Sequence, residues 1–170
     1  TGNINFDALS VANANITARS RLVGVGYVRT APTATATVES GAIISAGGVF
    51  NFRARTQNSL SFVRLVPSIG ENANVAVGFG HADSSAETLI RGGATVSAGT
   101  ANITADATTS FQTLVIAAGF NNSGTAGVSV AVAIGINEST AKATVGGNLS
   151  TRSEEHTSEL QSQFRISYAV

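Results

Sequence analysis

The chain has 170 residues, no net charge at pH 7 and no cysteine, which excludes a disulfide framework, thiolate chemistry and a basic footprint for nucleic acid or an anionic membrane. The hydrophobic share is 43%, but only 6% of residues are aromatic and 12% are charged. Alanine, valine, threonine, serine, asparagine and glycine dominate, and this composition favours β-strands and turns over helices. No apolar run approaches about 18 residues, so we expect no transmembrane helix. The chain has no methionine and therefore lacks its own start, so we expect an internal piece of a longer protein.

The first element in chain order, residues 2–18, reads as β-strand, and three similar seventeen-residue segments follow it along the chain. They read LVGVGYVRTAPTATATV at 22–38, NVAVGFGHADSSAETLI at 74–90 and SVAVAIGINESTAKATV at 129–145, and they align without a gap. Each predicts an alternating strand, a polar turn and a second short strand. Equivalent positions repeat residue size. Val23, Val75 and Val130 coincide, Tyr27, Phe79 and Ile134 form a large apolar column, and Ala34, Ala86 and Ala141 form a small one. We expect a solenoid to bury such apolar side chains in stacked columns.

The stretches between these copies also repeat. The glycine-bounded GAIISAGG at 41–48 returns as GATVSAG at 93–99 and begins again as GGNLS at 146–150. NFRA at 51–54 is matched by NITA at 102–105. Because the core copies start at residues 22, 74 and 129, they are offset by 52 and 55 residues. A period of this size indicates a solenoid, a propeller or an array of units.

These features predict an all-β fold, a parallel β-helix or β-solenoid with a repeat of about 52 residues. Stacked rungs require each side chain to lie over a counterpart of similar size, which the columns provide. A propeller is the alternative, although three copies would leave its ring open. We expect short strands and roughly two coils per unit, so that about six coils make a rod of about 30 Å.

The composition changes abruptly at Arg152. The remaining sequence, RSEEHTSELQSQFRISYAV, has no glycine and no valine before its last residue. RSEEHTSELQS resembles the translation of a short-read sequencing adapter, and ISYAV resembles the adapter's next constant part after a variable index. The resemblance implies a solenoid fragment at residues 1–151 and an extraneous, adapter-derived tail at 152–170 that is not part of the fold. The alternative is a polar helix that begins with a Ser153 cap.

The sequence nominates no catalytic, cofactor-binding or metal-binding residue, and we predict that the chain is not an enzyme. His81 has Asp83 two residues away, but a catalytic or metal-binding histidine needs further partners. The acids do not recur as pairs in adjacent repeats, and the GGxGxD calcium motif is absent. Three arginines of the middle unit form a modest basic cluster, which we interpret as a solvated face: Arg53, Arg55 and Arg64.

The combination of GATVSAG at 93–99, NITA at 102–105 and GVSVAVAIGINESTAKATVGG at 127–147 resembles repeats of large bacterial surface proteins, the filamentous-haemagglutinin-like adhesins and autotransporter passenger domains. The resemblance covers residues 1–151 and implies a right-handed parallel β-helix that is exported, outer-membrane associated and displayed at or released from the cell surface. It implies a stalk or adhesive rod whose partners are a host or neighbouring cell surface or a polysaccharide, with further repeats of the chain at both ends. VAIG at 132–135 is also similar to trimeric autotransporter heads, which use a shorter repeat. No family binding residue carries over.

Two other functions remain open at this stage. A carbohydrate-active or carbohydrate-binding β-helix would need acids that converge in one groove, such as Asp83, Glu87 and Asp106. An ice- or mineral-binding face would need a flat outward ladder of threonines. Thr33, Thr35 and Thr37 suggest such a ladder, but the aligned Glu87 and Lys142 interrupt it.

Overall fold

The computed structural model describes residues 2–19, 23–69, 73–120 and 128–152, and their regular secondary structure is entirely β-strand. None of the described residues forms a helix that could cross a membrane. Residues 153–170 lie outside the described part, so the predicted separate tail stays a prediction. The strands are β1 (Ile4–Arg19), β2 (Val23–Thr30), β3 (Thr33–Val38), β4 (Ile43–Ile69), β5 (Ala73–Ile90), β6 (Thr95–Phe120), β7 (Val128–Val145) and β8 (Asn148–Thr151).

The strands form two parallel sheets that face each other. The first sheet has the order β1-β4-β6-β8, and in the second sheet β5 lies between β7 on one side and β2 with β3 on the other. Every strand pairing is parallel, and the chain passes from one sheet to the other after each long strand. This confirms the predicted all-β, parallel solenoid.

The strand registers reproduce the alignment of the three sequence copies. Val23 pairs with Val75, and Val75 pairs with Val130, which are offsets of 52 and 55 residues. Adjacent strands are therefore separated by one repeat unit, so one unit makes one coil, which we call a rung. The prediction of two coils per unit was wrong. The described residues form rung 1 (β1, β2 and β3), rung 2 (β4 and β5), rung 3 (β6 and β7) and the start of a fourth (β8). Their height is about 14 Å instead of about 30 Å.

Strand length explains this difference. β4 has 27 residues, β5 has 18 and β6 has 26, so a rung is two long strands and not four or more short ones. The polar turn predicted inside each core copy is absent from β5 and β7, which run through it without a break. Only rung 1 is interrupted, between β2 and β3, where Pro32 lacks the N–H that a strand ladder requires.

The two sheets contribute side chains of different size to the space between them. The first sheet supplies large residues that are fully buried, including Phe50, Phe52, Leu60 and Phe62. The second sheet supplies mainly glycine, alanine, serine and threonine, because the inward positions of β5 are Asn74, Ala76, Gly78, Gly80, Ala82, Ser84, Ala86, Thr88 and Ile90. Large side chains of one sheet thus fill the space that small side chains of the other leave open.

Glycines in the second sheet permit this close approach. A Cβ on Gly26 would lie 2.6 Å from Cζ of Phe62, and one on Gly135 would lie 2.3 Å from Cε1 of Phe111. Both distances are far below an ordinary carbon–carbon contact of about 3.5–4.0 Å. The rings of the first sheet therefore occupy the volume that larger side chains at these positions would need.

A polar seam crosses the interior between the apolar clusters. Nδ2 of Asn58 donates to Oγ of Ser84 at 3.1 Å, and Oγ of Ser84 lies 2.9 Å from Oγ1 of Thr109. Oγ1 of Thr109 lies 3.0 Å from Oγ of Ser139. The seam alternates between the two sheets as it rises from rung 2 to rung 3, so the inward hydroxyls of Ser84, Thr109 and Ser139 are satisfied without a turn.

The predicted core column of Tyr27, Phe79 and Ile134 faces outward, as do the two valine columns beside it. Val25 is 66% exposed and Tyr27 is 63% exposed. The prediction that these large residues fill the core was wrong, because strand alternation places the glycines and alanines between them on the inner face. Only the columns of small or terminal residues, such as Ala34 with Ala86 and Val38 with Ile90, are inside.

Candidate interaction surfaces

The outer face of the first sheet carries a ladder of amides. Nδ2 of Asn51 donates to Oδ1 of Asn5 at 2.6 Å, and Nδ2 of Asn102 donates to Oδ1 of Asn51 at 2.8 Å. Most other outward positions at 51–61 of β4 and 102–112 of β6 are uncharged and polar, and the charged ones are Arg53, Arg55 and Asp106. We call this surface the polar face: Asn51, Gln57, Ser59, Ser61, Asn102, Thr104, Thr108, Ser110 and Gln112.

Ion pairs join the rungs on both outer faces. Each carboxylate among the described residues contacts a basic side chain of an adjacent rung. The pairs on the first sheet are Arg53–Asp106, at 2.5 Å, and Arg55–Asp7. Those on the second sheet are Arg29–Asp83 at 3.2 Å, His81–Glu138 at 3.8 Å and Lys142–Glu87 at 3.4 Å. Arg91 and Glu39, which follow β5 and β3, form a further pair at 2.8 Å.

The Arg55–Asp7 pair has a measurable electrostatic consequence. The guanidinium of Arg55 donates from Nε to Oδ1 of Asp7 at 3.1 Å and also donates to Oδ2. This hydrogen bonding lowers the pKa of Asp7 below its ordinary value. Asp7 is thereby held as a carboxylate that accepts hydrogen bonds from Arg55 on the outer face of the first sheet.

His81 and Asp83 lie on the same outer face of β5 but have different partners. Asp83 contacts Arg29 of rung 1, whereas Nε2 of His81 faces Glu138 of rung 3. The structure therefore pairs each with a neighbouring rung, and the only contact the histidine makes with a carboxylate among the described residues is with Glu138.

The acids that would have to converge for carbohydrate cleavage are separated by the solenoid itself. Asp83 and Glu87 belong to the second sheet and point away from the core, whereas Asp106 lies on the outer face of the first sheet. These three carboxylates cannot line one groove because the two outer faces point in opposite directions. No group of three or more histidine, cysteine, aspartate or glutamate side chains that could hold a metal ion occurs in the described part of the chain.

Two further sequence interpretations are changed by strand alternation. Arg53 and Arg55 point outward, but Arg64 belongs to the inward set, so the three do not form one basic cluster. Thr33 and Thr35 are exposed on rung 1, but the residue above Thr35 is Glu87 and the residue above Glu87 is Lys142. A continuous threonine ladder therefore does not form.

The second sheet carries an exposed apolar surface, formed by large apolar columns that were expected to be buried. It consists of three adjacent outward columns, each three rungs high. The exposed fraction is 61% for Val23, 38% for Val75 and 45% for Val130 in the first of these columns. We call this surface the apolar panel: Val23, Val75, Val130, Val25, Val77, Val132, Tyr27, Phe79 and Ile134.

Comparisons of the chain with protein-family models, with curated proteins and with solved structures found no match. The candidate surfaces therefore rest on the geometry alone. The polar face and the apolar panel lie on opposite sides of the solenoid, and each presents side chains in columns that repeat from rung to rung.

Proposed function

We propose that the chain is a structural and adhesive repeat module of a large exported bacterial surface protein, a segment of a stalk or adhesin rod. The observation that carries this proposal is that one repeat unit makes one rung, with its side chains in register with those of the next unit. Such a fold lengthens by adding units, and each unit contributes the same columns to the surface. The resemblance of residues 93–99, 102–105 and 127–147 to surface-adhesin repeats supports the same function.

The polar face is the surface that we assign to adhesion. Its amides and hydroxyls are one strand separation apart between rungs, and at Gln57–Ser61 and Thr108–Gln112 they recur at every second residue. Amides and hydroxyls both donate and accept hydrogen bonds, so they suit a polysaccharide or a glycan-covered cell surface. Charged groups contribute little here, because the arginines and aspartates of this face are paired with each other.

Adhesion is tested by coupling the full chain to beads and measuring their attachment to cellulose, chitin and an epithelial cell monolayer. We expect attachment to at least one of these surfaces above that of uncoated beads. Replacing Asn51 and Asn102 together with alanine should reduce it, whereas Ser85→Ala on the opposite face should not. Thermal unfolding of each variant shows whether reduced attachment comes from the altered polar face or from loss of the folded structure.

The alternative proposal is a carbohydrate-active or carbohydrate-binding β-helix. Release of new reducing ends from cellulose or chitin by the chain would contradict a purely structural and adhesive role. Attachment that is absent on all three surfaces would remove adhesion from the proposal. Export is tested separately, by locating the product of the full-length gene in cell-surface and secreted fractions.

A further inference from the structure

The apolar panel is too large and too continuous to be an ordinary solvent-facing surface. Its nine side chains present on the order of 700 Å² of accessible area, if each half-exposed large residue contributes roughly 60–100 Å². Monomeric soluble proteins rarely expose contiguous apolar patches above a few hundred Å². A stable protein interface buries about 800 Å² per partner, so the panel alone nearly reaches that size.

We propose that the apolar panel is the interface between two copies of this chain, which pack side by side with their second sheets face to face. The charges bordering the panel are already paired within the chain, Arg29 with Asp83 and His81 with Glu138. The border thus offers little to a charged partner. A second flat sheet carrying the same columns can pack at the usual separation of about 10 Å between sheets.

The shapes of the three columns favour one symmetry. A two-fold axis parallel to the solenoid axis and through the central column places each rung against the same rung of the second copy, with strands antiparallel. The column of Val25, Val77 and Val132 then faces itself. The valine column that contains Val23 faces the large column that contains Tyr27, so small residues lie against large ones.

This symmetry also extends the contact in rung 3. On β7, the second outward residue to either side of Val132 is Val128, which is 64% exposed, and Ile136, which is 46% exposed. The two-fold axis places Val128 of one copy against Ile136 of the other. A two-fold axis along the strands would instead bring Asp83 and Glu87 of rung 2 towards their own counterparts in the second copy. Like charges in that position oppose association, so the axis parallel to the solenoid is preferred.

The association is tested by sedimentation of the full chain over a range of concentrations. We expect a concentration-dependent dimer that Val77→Lys weakens about 100-fold or more, because the substitution places two cations opposite each other. Ser85→Lys is the matched control, since it lies on the same face of β5 outside the panel, and it should leave the dimer intact. Val77→Thr, which keeps the side-chain shape, should weaken the dimer less and should preserve the fold.

The symmetry is tested by cross-linking, which is clean because the chain has no cysteine. Sheets about 10 Å apart are beyond disulfide reach, so a short bis-maleimide is used. Val25→Cys and Val77→Cys should each cross-link to the same variant, and Ser85→Cys should not. If the two-fold axis ran along the strands, only Val77→Cys would cross-link to the same variant. That result would overturn the proposed arrangement.

Three results would overturn the dimer itself. These are a monomer at all concentrations, an association that Val77→Lys leaves unchanged, and co-sedimentation with phosphatidylcholine vesicles in place of dimerisation, which would assign the panel to lipid. The inference depends on the fold and not on adhesion. A failure of bead attachment would leave it standing, and a monomeric chain would leave the adhesive proposal standing.

Discussion

At the scale of single residues, the solenoid converts large sequence separations into direct contacts. Asp7 and Arg55 are 48 residues apart in sequence but lie on adjacent strands. The same holds for each ion pair of the outer faces, so these pairs connect rungs and do not stabilise one strand alone. Exposed pairs of this kind contribute little individually, and their value lies in fixing the register.

The Arg55–Asp7 pair predicts a dependence of stability on pH. Because hydrogen bonding by Arg55 lowers the pKa of Asp7 from its ordinary value of 3.8, folding is favoured by the ionised carboxylate. This contribution is fully present above the unfolded-state pKa and is lost as the pH falls through the lowered folded-state pKa. We expect Asp7→Asn to be less stable than the wild type at pH 7, by a small amount that disappears in strong acid.

Urea unfolding of both proteins across this pH range measures the difference. Thr17→Ala, an outward substitution on the same strand without a titratable group, serves as the control and should differ from the wild type by a constant amount. A difference between Asp7→Asn and the wild type that is equal at pH 7 and in strong acid would contradict the role of the ionised carboxylate.

The polar seam provides a second prediction at this scale. Ser84→Ala removes the hydroxyl that lies between Asn58 and Thr109, and it leaves buried polar groups with fewer partners. We expect the free energy of unfolding to fall by about 1–3 kcal/mol. Ser85→Ala changes the next residue, which faces outward, and should stay within about 0.5 kcal/mol of the wild type. Equal effects of the two substitutions in urea unfolding would show that the seam is not stabilising.

At the scale of strands and sheets, stability depends on the fit between large residues in the first sheet and small ones in the second. The rings of Phe62 and Phe111 occupy space over glycines of the second sheet. The aromatic rings of Phe50 and Phe52 stack with their centroids 5.8 Å apart and continue this layer along the first sheet. Each sheet alone would leave its inner face unfilled, so we expect the two sheets to unfold together.

A double-mutant cycle tests the fit between the sheets. Gly26→Ala should destabilise the protein by about 1–3 kcal/mol, because its Cβ would meet the end of the Phe62 ring. In a Phe62→Leu background that clash is removed, and the cost of Gly26→Ala should become small. Gly2→Ala is the control, since nothing lies within 4 Å of the added Cβ. If the free-energy costs of Gly26→Ala and Phe62→Leu are simply additive, Phe62 does not limit the space at residue 26.

The sequence alone predicted the repeat period, the parallel stacking and the registers of the columns, because these follow from comparing one unit with the next. It did not predict which face of β5 is buried. Both faces contain apolar residues, and the pattern of Val75, Val77 and Phe79 suggested that the large ones are inside. The deciding information lies in the first sheet, where Val115 with Phe62 and Thr113 with Phe111 leave room only for Gly78 and Gly80.

The number of coils per repeat unit also could not be predicted from the sequence. Glycine and polar residues at 80–85 look like a turn when the strand is considered alone. They remain in β5 because Ser84 is satisfied by the polar seam and Asp83 by Arg29. The apolar panel was also not predicted as a surface. Its columns were recognised in the sequence, but they were expected to be buried.

At the scale of the whole molecule, β4 and β6 have nearly the same length, 27 and 26 residues, and β5 and β7 both have 18. The main difference between rungs 2 and 3 therefore lies in one connection. Three residues, 70–72, separate β4 from β5, whereas seven, 121–127, separate β6 from β7. The four additional residues account for the change of offset from 51 in the first sheet to 55 in the second. Units of different length can therefore stack without disturbing the sheets.

Inserting further units provides a prediction for the whole molecule. Four tandem copies of residues 43–94, placed before Ile43, should add four rungs and lengthen the particle by about 19 Å. Two coils per unit would instead add about 38 Å. Small-angle X-ray scattering distinguishes these lengths. The inserted chain should also melt at a higher temperature than the original, because interior rungs have neighbours on both sides.

The geometry of one rung per unit determines how much polypeptide a given reach requires. At about 4.8 Å per rung, a projection of about 100 Å would take about 21 rungs, or roughly 1,100 residues. Each rung is much wider than it is tall, since the 18 residues of β5 extend about 60 Å. Added units thus increase lateral surface area far more than length along the solenoid axis, which within the proposed function favours an adhesive surface over a long stalk.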